Sequence, residues 1–451
     1  MTSENIAALL STKQGQIEIA KRPIPTPQAD EILVHNKAIA GNPVDWMVRD
    51  YGFGITEYPI VLGSDVAGVV EHVGANVTRF KVGDRVLGFA GVLATSKADH
   101  GAWQTYTVVK EQAATVLPSA MAFEDAAVFP MAMATSINAF FVQFGLPRPA
   151  DAHSTIFSPG TECLFIWGGG GAVAASMIQL AKALGFTVYT TASPKHHDRL
   201  RRLGAAEVFD YEDANVVNKV LDKVSSAGLH LSHAIDNTSK KDTLLATSEI
   251  LVRSGGPSSK LVTLLDWPED MPCPVQKFSF FAFTTFAEHA DLAGWFFNDW
   301  LAEALAERVI VPAPPVVIVD GGIGSVIKVF DRIKAGVNGV KVVILTVTKV
   351  IVVEAQVGPA SDKQVPRVKQ IPAWVEGPAI DELLDELPDY ANVARVDAVG
   401  RGECATLAHI SASNSMDSSR PHLATSRTAA STQEQRTTFP KYGASGSTNR
   451  S

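Results

Sequence analysis

The four glycines Gly168–Gly171 constrain this chain more than any other feature. They follow the apolar run Cys163-Leu-Phe-Ile-Trp167 and open onto a segment of helical period, with Val173, Met177, Leu180 and Leu184 on one face. Gly185 stands where a left-handed residue closes a helix, and a second β-type run follows, Phe186-Thr-Val-Tyr-Thr-Thr191. This order predicts a βαβ unit whose first turn can hold a pyrophosphate on backbone N–H groups and a helix N-terminus. Glycine suits that turn because a Cβ would block both the tight bend and the approach to phosphate oxygens. Ala174 takes the last position of the fingerprint, where alanine is tolerated. A glycine run alone also describes a flexible loop; the flanking strands and helix favour the dinucleotide.

In such a unit an acidic residue at the end of the second strand usually binds the ribose hydroxyls of NAD. Here the strand ends Thr191-Ala-Ser193-Pro194-Lys195-His196-His197, with no carboxylate before Asp198. A hydroxyl and a lysine at that turn suit the 2′-phosphate of NADP(H), so NADPH is the expected cofactor. Ser193-Pro194 also fits a simple helix start, and the two readings are compatible. Arg199, Arg201 and Arg202 are expected on the exposed face of the following helix.

The rest of the chain places this unit. Residues 1–130 alternate short Val/Ile runs with turn signals, among them Glu31-Ile-Leu-Val34, Asp65–Val70, Gly83–Leu87 and Thr105–Val109, which predicts a β-rich domain. A helical pattern runs from Phe123 through Asn138 to Phe144. Beyond the glycine unit, strands are expected at Glu207–Tyr211, His233–Asp236 and Lys260–Leu265, with helices over about 195–203 and 240–253. That alternation predicts a parallel sheet covered by helices, an α/β fold. A long helix over about 288–308, a strand Val316–Val319, a helix near 324–335 and a strand Lys341–Thr346 complete the pattern. Past residue 350 one acidic amphipathic helix fits 371–387. From Arg401 Ser, Thr and Ala dominate, and 402–451 reads as disordered.

Composition narrows the function classes. A net charge of −8 argues against a nucleic-acid polymer as partner. Three scattered cysteines (Cys163, Cys273 and Cys404) give no disulfide framework and suit a reducing, cytoplasmic compartment. The N-terminus has no secretory pattern, and the apolar stretch 278–300 is interrupted by Glu288, His289, Asp291, Asn298 and Asp299, so no membrane role is expected.

Several stretches together resemble the medium-chain dehydrogenase/reductase superfamily over about residues 5–348. They are Asn42-Pro-Val-Asp-Trp46, Tyr58–Val70, Val73-Gly-Ala-Asn with Phe80–Val86, the glycine loop, and Gly336-Val-Asn-Gly-Val-Lys341. The resemblance implies a GroES-like β-barrel domain (1–130, completed by 285–348) and a Rossmann domain (131–284), followed by an extension (349–451). Zinc alcohol dehydrogenases of the superfamily carry Cys where this chain has Asn42, and His-Glu where it has Ser64-Asp65. Those three residues are a poor ligand set for a catalytic zinc, so no metal is expected. The chain is similar to the zinc-free quinone oxidoreductase and enoyl reductase branch, and in texture to the fungal trans-acting enoyl reductases that work beside polyketide synthases. That implies hydride transfer from NADPH to an activated C=C of an enone, enoyl thioester or quinone, with hydrogen-bond donors stabilising the enolate.

By the same resemblance, Gly168, Gly169, Gly170, Gly171, Ala172 and Val173 meet the pyrophosphate. Ser193, Pro194, Lys195 and His196 meet the 2′-phosphate, with Tyr211 near the adenine. Pro43, Val44, Asp45, Leu264, Leu265, Val337 and Asn338 complete the cofactor site. Thr135 is a candidate for the nicotinamide or substrate carbonyl, and Asn42 and Tyr58 for carbonyl binding. Asp45 and Thr135 also fit simple capping roles. The substrate is a small molecule, including an acyl chain carried by a polyketide synthase. Monomer and homodimer both remain open. Two other readings stay beside this one: a catalytically idle NADPH-binding interaction protein, and an alcohol or carbonyl dehydrogenase with an unrecognised metal.

Overall fold

The computed structural model describes residues 4–268 and 271–346. The expected helix over 371–387, the stretch 402–451 and the whole extension 349–451 lie outside the described residues.

The N-terminal part is built from β1 (Asn5–Leu10), β2 (Ile17–Arg22), β3 (Glu31–Ala40), β4 (Ile60–Val61), β5 (Asp65–Val73), β6 (Arg85–Phe89), β7 (Tyr106–Lys110) and β8 (Ala114–Val116). The parallel sheet follows as β9 (Glu162–Trp167), β10 (Thr187–Thr191), β11 (Ala205–Phe209), β12 (His230–Asp236), β13 (Lys260–Thr263) and β14 (Gln276–Ser279). The chain then returns through β15 (Val316–Ile318) and β16 (Lys341–Leu345). Strands β2-β1-β4 form one small sheet, and β15-β16-β3-β5-β6-β8 form a second with β7 on β3. β16 pairs antiparallel with β3, so Val343 lies opposite Ala40. This stitches the end of the described chain into the N-terminal sheet.

The order β11-β10-β9-β12-β13-β14 reverses direction between β9 and β12. Central strand β9 is one apolar run because both its faces are covered. Leu164 and Ile166 join a core continuous with the N-terminal sheets, while Cys163, Phe165 and Trp167 join a second core on the other face. Ile166 is fully buried, and its truncation to Ala would cost about 2–5 kcal/mol.

Several local expectations need correction. β11 begins directly after Gly204 and ends at Phe209, two residues earlier than expected, which leaves Tyr211 in the following turn. The helix Val216–Ser226, with Val216, Val220 and Val224 buried, was absent from the sequence reading, as was the edge strand β14. The expected continuous helix from Phe123 is broken. Pro130, which lacks an N–H, starts a second helix, Pro130–Ile137, and a π-helical turn Asn138–Gln143 follows. The expected helix over 288–308 likewise contains a π turn at Trp295–Trp300. The stretch Phe123–Gln143 is long and apolar enough to cross a membrane, yet it packs into the core through Phe129, Ile137 and Phe140.

Candidate functional site

The glycine loop leaves β9 at the reversal of strand order, where open α/β sheets bind ligands. β10 holds it in place. Gly168 N donates to Thr191 Oγ1 at 3.0 Å, and Gly169 N donates to Thr191 O at 2.7 Å. Gly168 has φ of +83°, and a Cβ there would lie 2.7 Å from Thr238 Oγ1. Gly171 is different: a Cβ there would meet nothing within 4 Å. It caps the helix Ala172–Ala183, whose first N–H groups, including those of Ala172 and Val173, have no intrahelical acceptor.

Three neighbouring strand ends complete this crevice. After β10, Ser193 precedes a short 3₁₀ turn Pro194–His196, and its Oγ lies 3.5 Å from Tyr211 Oη. The structure therefore brings these two residues together, with Tyr211 exposed beyond β11. Lys195 is exposed and forms no ion pair among the described residues. After β12, Asn237 N donates to Trp167 O at 3.1 Å, while both polar atoms of its carboxamide are buried and unpartnered. After β13, Leu264 N and Leu265 N both donate to Ser239 Oγ, at 3.1 and 3.3 Å. From the other part of the chain, Asn338, between Val337 and Gly339, hydrogen-bonds the His196 side chain. Asn338 has φ of +44°, a backbone form that asparagine tolerates better than most residues.

A second polar cluster surrounds Asn42. Lys341 Nζ, at the start of β16, donates to Asn42 Oδ1 at 2.6 Å and to Asp65 Oδ2 at 2.7 Å. Asn42 Nδ2 donates to Asp65 Oδ2 at 2.8 Å, and Met131 N donates to Asp65 Oδ1 at 2.6 Å. All three side chains are buried. Pro43, Val44 and Asp45 form the first turn of the helix Pro43–Tyr51. Asp45 Oδ2 accepts from Asn42 N at 3.0 Å and from Trp103 Nε1 at 3.3 Å. Desolvation, with the nearby Asp65 adding to it, pushes the Asp45 carboxyl up to about 7 despite these hydrogen bonds. The capping alternative for Asp45 is thus seen directly.

Thr135 is not in the first turn of its helix, nor its cap. It lies in the second turn of Pro130–Ile137, and its Oγ1 donates to Met131 O at 2.8 Å. The Tyr58 hydroxyl is buried with no partner, and burial raises its pKa, which keeps it protonated. The Asn42 carboxamide is held by Lys341 and Asp65, so it is oriented by the fold. Arg199 also departs from expectation: only Arg201 and Arg202 are exposed, whereas Arg199 is half-buried with Nη2 donating to Gly170 O at 2.9 Å.

Sequence reasoning missed Asn237, Ser239, Arg199 and the role of Lys341. Asp236-Asn-Thr-Ser239 at the end of a strand beside the reversal was the available signal for the first two. Nothing local marks Lys341, whose partners lie in distant parts of the chain. Among the described residues no group of three His, Cys, Asp or Glu side chains could hold a metal ion.

Comparison with known proteins fits this architecture. The alcohol dehydrogenase GroES-like domain family matches residues 28–119. A trans-enoyl reductase, tndF, of Aspergillus flavipes is 36% identical over 352 residues, covering 76% of this chain and 99% of its own length. Another, tazE of Aspergillus terreus, is 40% identical over 252 residues, covering 54% and 81%. Among solved structures, a quinone oxidoreductase of Pseudomonas syringae has a TM-score of 0.60 at 24% identity, covering 76% of this chain and 99% of its own. The CurK enoyl reductase has a TM-score of 0.59 at 18% identity, with the same coverage. The chain is an oxidoreductase that belongs to the medium-chain dehydrogenase/reductase superfamily, with fungal trans-enoyl reductases among its relatives.

Proposed function

We propose that this protein is an NADPH-dependent reductase of activated carbon–carbon double bonds, acting on an enone, enoyl thioester or quinone without a metal. The observation that carries this is the crevice at the reversal of strand order. There a Cβ on Gly171 would meet no protein atom and the buried carboxamide of Asn237 lacks a partner, at the strand ends where this fold binds dinucleotides. The residues present fit that group. Gly170–Val173 would hold the pyrophosphate, and Ser193, Lys195 and His196 the 2′-phosphate. A structural relative, a mycobacterial protein solved with NADPH, shares the fold with a TM-score of 0.57.

Bound NADPH would supply a hydride to the β-carbon, leaving negative charge on the substrate's carbonyl oxygen. The chain must then provide a donor to that oxygen and keep water out. Tyr58 suits the first task, because its hydroxyl is buried, protonated and without a partner. Thr135 donates its own proton within its helix, so it suits acceptance from the nicotinamide carboxamide better than donation to the substrate. Reduction without a Lewis acid is supported by the Asn42 cluster. The Lys341 ammonium already supplies positive charge to Asp65 and Asn42, which leaves those oxygens poorly placed to take a metal.

Relatives named trans-enoyl reductases favour an enoyl substrate; the acyl chain of a polyketide synthase, acted on in the cytoplasm, is the substrate class we propose. The test is NADPH consumption by the purified full chain against enones, short enoyl thioesters and quinones, with metal analysis of the same sample. Turnover on at least one class with no stoichiometric metal is expected. Tight NADPH binding without turnover on any class would instead support the idle binding protein.

A further inference from the structure

Arg199 sits at the third position of the helix His197–Leu203, and it behaves unlike its basic neighbours. Arg201 and Arg202 are exposed, and Arg201 pairs with Asp198 at 3.4 Å as an ordinary surface residue does. Arg199 turns toward the glycine loop instead. Its Nη2 donates to Gly170 O at 2.9 Å, and its Nη1 is buried with no partner. It forms no ion pair among the described residues. A Cβ on Gly339 would lie 3.1 Å from Arg199 Nη2 and 2.6 Å from His196 Cε1, so both side chains are packed against that second loop.

A half-buried guanidinium without an acid is unfavourable, and its buried N–H without an acceptor adds to that cost. Both deficits disappear if an anion enters beside it. The planar fork presents adjacent N–H groups, a geometry that matches phosphate oxygens. Its place is also informative. Arg199 lies on the first turn of the helix that follows β10, the strand whose carboxyl end reads the adenosine ribose in this fold.

We propose that Arg199 is a binding residue for the 2′-phosphate of NADP(H), with one arm holding Gly170 in place and the other pairing with the phosphate. This rests on the NADPH reading above and adds a residue to it. Arg199 thereby links recognition of the 2′-phosphate to the shape of the loop that takes the pyrophosphate.

The test is calorimetric binding to the full chain, which needs no turnover. NADPH, NADH, adenosine 2′,5′-bisphosphate and 5′-AMP are titrated into the natural protein and into Arg199→Ala and Arg199→Gln. The glutamine keeps a donor for Gly170 without the charge, and it carries the test if the alanine variant fails to fold. Both variants should bind NADPH and the bisphosphate at least ~30-fold more weakly, and NADH and 5′-AMP within ~3-fold of the natural protein. An equal loss for all four ligands would mean that Arg199 only shapes the loop or meets the pyrophosphate, which overturns the proposal. Unchanged NADPH binding overturns it as well, while leaving the NADPH reading intact. A natural protein that binds neither NADPH nor the bisphosphate overturns both.

Discussion

The crevice at the glycine loop and the cluster around Asn42 are both polar, yet they are finished to different degrees. Around Asn42, Lys341 and Asp65 each polar group meets another: Nζ meets two oxygens, and Asp65 takes three donors. In the crevice, the Asn237 carboxamide and Arg199 Nη1 are buried with nothing to bond. A satisfied network fixes a fold, whereas unsatisfied buried groups call for an explanation, which the proposed function supplies as a bound dinucleotide. The difference separates structural polarity from binding polarity within one chain.

The sharpest way to break this comparison is Lys341→Met. It leaves Asp65 charged, buried and short of its cation, so it should destabilise the protein by about 3–5 kcal/mol in denaturant unfolding. Adding Asp65→Asn should recover much of that loss. If Lys341→Met is nearly neutral, the Asn42 cluster is not a structural network.

Within that cluster Asp45 should leave a pH signature. Its folded pKa of about 7 stands above the ordinary 3.8, so the folded protein binds this proton more tightly than the unfolded chain. Stability should therefore fall as pH rises through that interval, by up to about 4 kcal/mol, and level off above it. Asp45→Asn should flatten this slope in unfolding curves taken across the range. Glu31 should act in the opposite sense. Burial alone would raise its pKa, but His100, the Gln28 N–H and Lys110 together lower it to about 2. Its contribution is present at neutral pH and is lost as pH falls from 4.5 toward that value.

On the crevice side, Lys195→Ala should weaken NADPH about 10–100-fold and NADH hardly at all, as read by calorimetry. Equal losses would remove Lys195 from the phosphate site. The smallest change is Gly171→Ala. Because its Cβ would meet no protein atom, the ligand-free protein should lose no more than about 1 kcal/mol, while NADPH binding weakens. Gly168→Ala should instead destabilise the ligand-free protein, since its Cβ meets Thr238 and its φ is positive.

The same contrast explains what the sequence made legible. The glycine loop, β9, β10 and the helix between them are written in local period and in glycine, so they could be read directly. Ser193 and Tyr211 come together through neighbouring parallel strands, although β11 stops two residues short of where its apolar letters end. Arg199 was hidden because a run of arginines looks like a solvated face. Its direction depends on Gly170 and on Gly339, far away in the chain. Lys341 was hidden for the same reason, since only the pairing of β16 with β3 brings it beside Asn42. The π turns at Asn138–Gln143 and Trp295–Trp300 shift helical register by packing, and Phe141 meets Trp295 edge-on between them. No periodicity within either segment reports such a contact.

The central claim is hydride reduction of a double bond by a crevice that takes NADPH, in a protein that needs no metal. It is tested most directly with NADPH deuterated at the transferable position, an enoyl thioester and chelator-treated protein. The account predicts one deuterium at the β-carbon of the saturated product, at the rate that untreated protein shows with the same labelled NADPH. Loss of turnover with the chelator and recovery on adding zinc, or deuterium at a carbinol carbon, would contradict it.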